Sequence, residues 1–223
     1  MALLDQPLGQ LARNIPGATG IFHEYQLDFC CGGQHSLRDA AQAKGIDVAP
    51  IVQRLEALHE AVTPDEAVDW SAVSPSMLID YILERFHERH REQLPELIRL
   101  ARRVEHVHGD RPECPTGLGD LLDAMRQELE SHMQKEEQIL FPMLARGHGV
   151  RAGGPIAVMR MEHDQHGEAL QQLMTLTNDI TLPRGACTTW RALYLGLRVF
   201  REDLMEHIHL ENNVLFDIAG ASN

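Results

Sequence analysis

A chain of 223 residues has room for one good-sized domain, or for one domain with a small accessory. Its 33 acidic against 20 basic residues, a net charge of −13, exclude a general nucleic-acid binder, which needs a basic patch. No apolar run approaches the roughly 18 residues of a membrane span.

Thirteen histidines are conspicuous, because histidine is both the commonest metal ligand and the proton carrier of neutral pH. The start, MALLDQPLGQLARNIPGA, has no basic leader, so a secretory signal is not expected. The four cysteines fall as an adjacent pair and two separate singles. That is no disulfide framework, and a reducing, cytoplasmic setting is expected.

In chain order, residues 1–60 predict a small helical domain: short helices broken by Pro7, Pro16, Gly17, a Cys-Cys-Gly-Gly stretch and Gly45. Ser36 with Asp39 marks one helix start. Residues 61–74, with proline and no sustained apolar period, are expected to be a linker. Residues 75–223 then predict four long amphipathic helices. The first starts at Ser74-Pro75 and runs to about His108, with a kink expected at Pro95. The second runs from about Thr116 to Ala145 with Leu118, Leu122, Met125, Leu129, His132, Glu136, Leu140 and Met143 on one stripe. The third starts near Pro155 and the fourth near Thr188. No segment alternates like a strand, and four helices with short connections make an antiparallel bundle, an all-α fold.

The bundle carries a repeat. SHMQKEEQILFP (131–142) returns as EHIHLENNVLFD (206–217), and FHERHRE (86–92) as EHDQHGE (162–168). His87 precedes His132 by 45 residues and His163 precedes His207 by 44, so two similar hairpins each offer one histidine on the first helix and His-x-x-x-Glu on the second. His87 lies roughly 31 Å before the end of its helix, and His132 and Glu136 lie roughly 24–30 Å into the returning one, at 1.5 Å per residue. The second hairpin gives similar depths, so all six side chains can meet in one layer. A single His-x-x-x-Glu is usually a surface pair, but both of these lie on the apolar stripe. Two glutamates facing each other in a core need a counter-charge. Two divalent cations supply it, with glutamates bridging them, and the donor set suits iron, manganese or zinc. His90 and His166, one turn away, could compete for the metals, but are read as rings behind the ligands or on the bundle surface.

The whole chain resembles the bacterial iron–sulfur cluster repair di-iron proteins, the RIC family of YtfE/ScdA type. The hemerythrin-like set above carries the likeness, together with LDFCCGGQHSL (27–37), ACTTW (186–190) and EEQILFP (136–142). The resemblance implies a hemerythrin-like bundle with a non-haem di-iron centre: histidine ligands His87, His132, His163 and His207, bridging Glu136 and Glu211, and an oxo or hydroxo bridge. It also implies repair of iron–sulfur clusters damaged by nitric oxide or peroxide, by donating iron, by reducing nitric oxide, or both. The partners would be proteins with damaged clusters and nitric oxide itself, without nucleic acid or membrane; dimerisation is left open. Four neutral histidines and two carboxylates leave a di-ferrous site at about +2, with positions open for a small ligand. Glu128 and Glu162 are candidates for moving protons or iron near the centre.

Cys30 and Cys31 are too close in sequence for an unstrained disulfide; by themselves they read as a reactive site or as a packed, inert pair, and the resemblance implies redox thiols. A helix start at Ser36 is expected to favour their thiolate form. The alternatives are a hemerythrin-type oxygen- or iron-binding sensor without turnover and a dinuclear, zinc-dependent hydrolase. The first leaves the cysteine pair unexplained and the second lacks an evident cleft.

Overall fold

The computed structural model describes residues 3–61 and 73–221. Most of the expected linker, 62–72, lies outside the described residues. The N-terminal segment forms a 3-10 turn at Leu3–Asp5 and helices α1 (Leu8–Asn14), α2 (Ala18–Glu24), α3 (Leu37–Lys44) and α4 (Ala49–Ala61). Ser36 caps α3 by accepting the Asp39 backbone N–H at 3.1 Å, and Gly45 ends the helix in the left-handed region at φ 65°. The described residues contain no strand; their β content is one isolated bridge between Pro7 and Ser36.

Four long rods come next. The first comprises α5 (Pro75–Ile82), a π-helical turn Leu83–His87 and α6 (Glu88–His108). The second comprises α7 (Leu118–Lys135), a π-helical turn Glu136–Leu140 and α8 (Phe141–Ala145). The third is α9 (Gly153–Leu176), and the fourth comprises α10 (Thr188–Leu210), a π-helical turn Glu211–Leu215 and α11 (Phe216–Ala221). Ser74 accepts the Met77 N–H at 3.3 Å with Pro75 opening the helix, as the sequence suggests. Pro95 sits inside α6, which continues through it from Glu88 to His108. α6 packs on α7 and α10, and α7 on α9. Among the described residues no helix is long and apolar enough to cross a membrane.

The rods are not the continuous α-helices that the periodicity predicts. In three of them the hydrogen-bond ladder widens to i→i+5 for one turn, ending at His87 or starting at Glu136 and Glu211. A π turn adds a residue to the coil and shifts the register of the helix beyond it. In this chain it lets a His-x-x-x-Glu pair and the Leu-Phe pair after it both face inward: Glu136, Leu140 and Phe141 are all buried, as are Glu211, Leu215 and Phe216.

Two apolar clusters fill the bundle. One holds Leu78, Ile82, Phe86, Leu140, Phe141, Met159, Leu210, Leu215 and Phe216. The other holds Leu94, Leu129, Met133, Leu170, Leu204 and Ile208, and continues without a break into Leu8, Phe22, Phe29 and Leu37 of the N-terminal helices. Polar contacts reinforce that docking. Asn213 Nδ2 donates to the Phe29 carbonyl at 3.2 Å, and Arg13 Nη1 to the Asn213 carbonyl at 3.3 Å. Phe29 itself is wedged between the rings of His23 and His209.

Gly33 is required by this approach. A Cβ there would lie 2.6 Å from Asn213 Oδ1 and 2.7 Å from the Phe29 carbonyl oxygen. Gly33→Ala is expected to cost about 1–3 kcal/mol and to loosen residues 3–61 from the bundle. Hydrogen exchange should rise across α1–α3 while the helices carrying the histidines keep their protection; unchanged exchange in α1–α3 would refute the docking role.

Candidate metal centre

Between the two apolar clusters lies a polar layer. His87, His132, Glu136, His163, His207 and Glu211 are each at most 1% exposed, and the structure brings all six together. They form two overlapping groups, His87/His207 and His132/His163, each with both Glu136 and Glu211, whose donor atoms lie within 4.8 Å of one another. The inward atoms are the four ring Nε2. His87 Nε2 is 3.2 Å from His207 Nε2, and His132 Nε2 is 3.1 Å from His163 Nε2. Glu136 reaches one histidine of each pair, with Oε2 3.4 Å from His87 and Oε1 3.3 Å from His132. Glu211 does the same, with Oε2 3.0 Å from His163 and Oε1 3.1 Å from His207.

The outward nitrogens fix the tautomers. His87 Nδ1 meets Glu137 Oε1 at 2.9 Å, His132 Nδ1 meets Glu162 Oε2 at 2.9 Å, and His163 Nδ1 meets Asn212 Oδ1 at 2.8 Å. Carboxylate and amide oxygens only accept, so each of these Nδ1 carries the proton and the Nε2 lone pair points inward. Lone pairs facing each other at such distances repel unless a cation lies among them. Nitrogens ligating one ion at roughly 2.0–2.1 Å stand about 3 Å apart. Burial and then the charge of Glu211 push Glu136 well above the usual carboxylate range. Burial works against Glu211 as well, but His207 and His163 hold it well below that range. Among the described residues, both Glu136 oxygens and Glu211 Oε2 lack a hydrogen-bond donor. The residues present therefore fit a pair of cations: acceptor-only groups, desolvated, converging and otherwise unsatisfied.

His90 and His166 join neither group and do not lie on the bundle surface. Both are buried. His90 packs against the rings of His207, Phe86 and Phe200, and His166 packs edge-on against His132 at 5.0 Å. Burial, then His132 and His163, pushes His166 down to about 2; burial, then His207 and His87, holds His90 well below its ordinary value. They stand as neutral rings behind the inward ones. Glu162 reaches the centre through His132 and is also paired with Lys135. Glu128 is exposed, and with Glu162, Lys135 and His166 it lines a surface recess of about 250 Å³.

The cysteine pair lies closer to this layer than its place in the sequence suggests. Asn212, whose Oδ1 takes the His163 proton, donates through Nδ2 to the Cys30 carbonyl at 3.1 Å. Cys31 Sγ donates to the backbone carbonyl of His163 at 3.3 Å, over Gly167, where α9 has no side chain. The two sulfurs are 3.8 Å apart as free thiols. The expected bias toward thiolate is reversed at Cys30. The Cys31 sulfur, burial and the Asp28 carboxylate raise its thiol well above the ordinary value. Asp28 Oδ1 accepts from the backbone N–H groups of Cys30 and Cys31, so the nearest charge is negative, while the helix start lies beyond at Ser36. A cleft of about 360 Å³ opens beside the pair, lined also by His23, Asp164, Glu168 and Arg201.

Glu137 and Asn212 were not legible as participants from ligand spacing alone. Each immediately follows a core glutamate, and each holds the histidine of the opposite helix of its own hairpin. That shared position is the signal that marks them.

Two family models match the chain: the hemerythrin HHE cation binding domain over residues 78–219, and ScdA_N, a domain of unknown function, over residues 4–59. The chain is 53% identical over 212 residues to the iron–sulfur cluster repair protein YtfE of Dickeya chrysanthemi (strain Ech1591), covering 95% of each chain. It is 51% identical over 216 residues to a probable iron–sulfur cluster repair protein of Haemophilus influenzae, covering 97% of each, and 52% identical over 212 residues to YtfE of Yersinia pseudotuberculosis, covering 95% of each. The chain belongs to the hemerythrin HHE family and, within it, to the bacterial iron–sulfur cluster repair proteins.

Proposed function

We propose that this protein restores iron–sulfur clusters damaged by nitrosative or oxidative stress, and that it does so from a dinuclear iron centre. His87 and His207 would hold one ion and His132 and His163 the other, with Glu136 and Glu211 spanning both. The observation that carries this reading is that each buried carboxylate reaches one histidine from each pair. Imidazole and carboxylate donors suit several divalent metals; the names of the relatives favour iron. On this reading residues 1–60 serve as a Cys-Cys domain and residues 75–223 as the metal-binding bundle of a cytoplasmic protein.

Bound iron supplies redox chemistry and exchange of a small ligand such as nitric oxide. The chain supplies the rest. Glu137, Glu162 and Asn212 orient the rings and raise their basicity. Glu136 and Glu211 offset cationic charge in a medium of low dielectric. Phe86, Phe141 and Phe216 lie against His207, His87 and His163 and keep water out. Glu162, on the recess that Glu128 also lines, can pass a proton between solvent and His132 Nδ1. Cys31, half-buried beside the cleft, is the thiol open to a client protein, whereas Cys30 is buried and held protonated. A centre sealed between two apolar clusters admits an ion or a diatomic molecule more readily than a substrate for hydrolysis, which sets the hydrolase alternative aside.

Anaerobically purified protein is expected to hold about two irons per chain, with a visible spectrum that changes on exposure to air or nitric oxide, and to reactivate an iron–sulfur enzyme damaged by nitric oxide. Stoichiometric zinc with no spectral response, persisting after reconstitution with iron, would sink the proposal.

Glu136→Gln separates stability from metal binding. In the metal-free parent, the folded-state pKa of Glu136 lies above its unfolded value. Its protonated form therefore favours folding below about pH 4.5, and that contribution is lost as pH rises toward the folded pKa. Glutamine has no such loss. The metal-free variant should match its parent at acid pH and exceed it increasingly as pH rises to neutral, while binding fewer metal ions. Denaturant unfolding across this range checks the sign; a metal-free variant less stable than the parent at pH 7 would contradict it.

A further inference from the structure

The pseudo-two-fold relation between the hairpins covers more than the six inward residues. A shift of 75 or 76 residues carries His87 onto His163, His132 onto His207, Glu136 onto Glu211, His90 onto His166 and Phe141 onto Phe216. The outer contacts obey it too. Phe141 lies against the His87 ring and Phe216 against the His163 ring. Glu137 holds His87 Nδ1, and its counterpart Asn212 holds His163 Nδ1.

Glu137 and Asn212 exchange one acceptor for another; at a second pair of positions the relation keeps the place and removes the acceptor altogether. Glu162, directly before His163, accepts the His132 Nδ1 proton at 2.9 Å. Phe86, directly before His87, instead lies flat on the His207 ring, with centroids 5.3 Å apart and planes 6° from parallel. A phenyl ring has no acceptor in the imidazole plane. His207 Nδ1 is accordingly buried and without a hydrogen-bond partner among the described residues. The His132/His163 half thus has both rings anchored and polarised, by a carboxylate and an amide. The His87/His207 half has one ring backed by a carboxylate and one left bare. Loss of such an outer partner typically costs about 10–100-fold in metal affinity.

We infer that the two metal positions are unequal: the ion between His87 and His207 is the one the protein gives up first, and the ion between His132 and His163 is retained. This rests on the dinuclear reading above and specifies which half serves as the exchangeable one. Phe86 is the residue that sets the difference. The exchangeable half is also the one not tied to the cysteine segment, because Asn212 links Cys30 to His163. A first iron would then leave without disturbing the docked N-terminal helices.

The test uses the full chain reconstituted anaerobically with ferrous iron and challenged with an excess of a ferrous chelator. Two release phases of one equivalent each are expected, with rates about 10–100-fold apart. Anomalous diffraction at the iron edge, from crystals of protein quenched after the first phase, should place the remaining ion between His132 and His163. Iron remaining between His87 and His207, equal partial occupancy of both positions, or release of both ions in a single phase overturns the inference. In solution, Glu162→Ala removes the partner of His132 and should accelerate the slow phase toward the fast one, leaving the fast phase unchanged. Acceleration of the fast phase alone gives the opposite assignment and also overturns it. Fewer than two irons taken up at the outset would overturn the dinuclear reading itself, and the inference with it.

Discussion

Two carboxylates without exposure face the same point in the middle of this bundle, and much of the architecture answers that fact. A lone ionised carboxylate in a protein interior costs several kcal/mol even after relaxation, and two together repel each other as well. Among the described residues no lysine or arginine neutralises Glu136 and Glu211 to leave a closed ion pair. The chain surrounds them with four imidazoles whose Nε2 atoms also point inward, three of them as lone pairs, which adds acceptors to acceptors. Such an arrangement is self-consistent only around cations. The apolar clusters above and below the layer strengthen this dependence, because they exclude the water that could otherwise screen the charges.

The same constraint explains the irregular helices. An uninterrupted α-helix brings His132 and Glu136 to one face but turns the Leu-Phe pair beyond them partly away from the core. Widening one turn keeps both sets inward, at the expense of hydrogen-bond geometry within that turn. The three wide turns all border the polar layer, on both helices of one hairpin and on the second helix of the other. The α9 helix, which carries His163, stays regular. The close approach of Cys31 over Gly167 occurs on this same helix, where a regular backbone and a missing side chain leave a flat place for the sulfur.

How much of this was legible in the sequence depends on the kind of interaction that sets each feature. The six inward residues were legible because they occupy the helical period that also carries the leucines, and because they recur at matched intervals. The start of the first rod at Ser74 was legible from local capping chemistry, whereas the fourth begins at Thr188, as expected, without a side-chain cap. The wide turns were not, since a change of hydrogen-bond register leaves no distinctive residue behind; only the Glu-to-Leu-Phe spacing, inward at both ends, hinted at them. The burial of His90 and His166 was half legible: their spacing puts them one turn from the layer, but whether that turn faces solvent depends on Phe200 and the neighbouring rods. The protonation of Cys30 was not legible, because the visible signal, a helix start six residues away, is the weaker influence. The stronger ones, the Cys31 sulfur, burial and then Asp28 folded back onto the pair, are packing and turn contacts that spacing alone does not reveal.

The least legible feature is the docking of the N-terminal helices, and it bears most directly on how the two parts act together. Asn212 has one orientation compatible with its neighbours: its oxygen must take the His163 proton, so its amide nitrogen must face the Cys30 carbonyl. Turning the side chain over would set an N–H against an N–H on one side and a carbonyl against a carbonyl on the other. Asn213 beside it grips Phe29 and crowds Gly33. The orientation of one inward histidine and the seating of the cysteine pair are thereby parts of a single hydrogen-bonded unit. At the equivalent place in the first hairpin, Glu137 answers, among the described residues, only to His87 and the nearby Arg91. The repeat that builds the centre twice therefore departs from itself at Asn212, where a glutamate could hold the ring but an amide can hold both the ring and the cysteine segment.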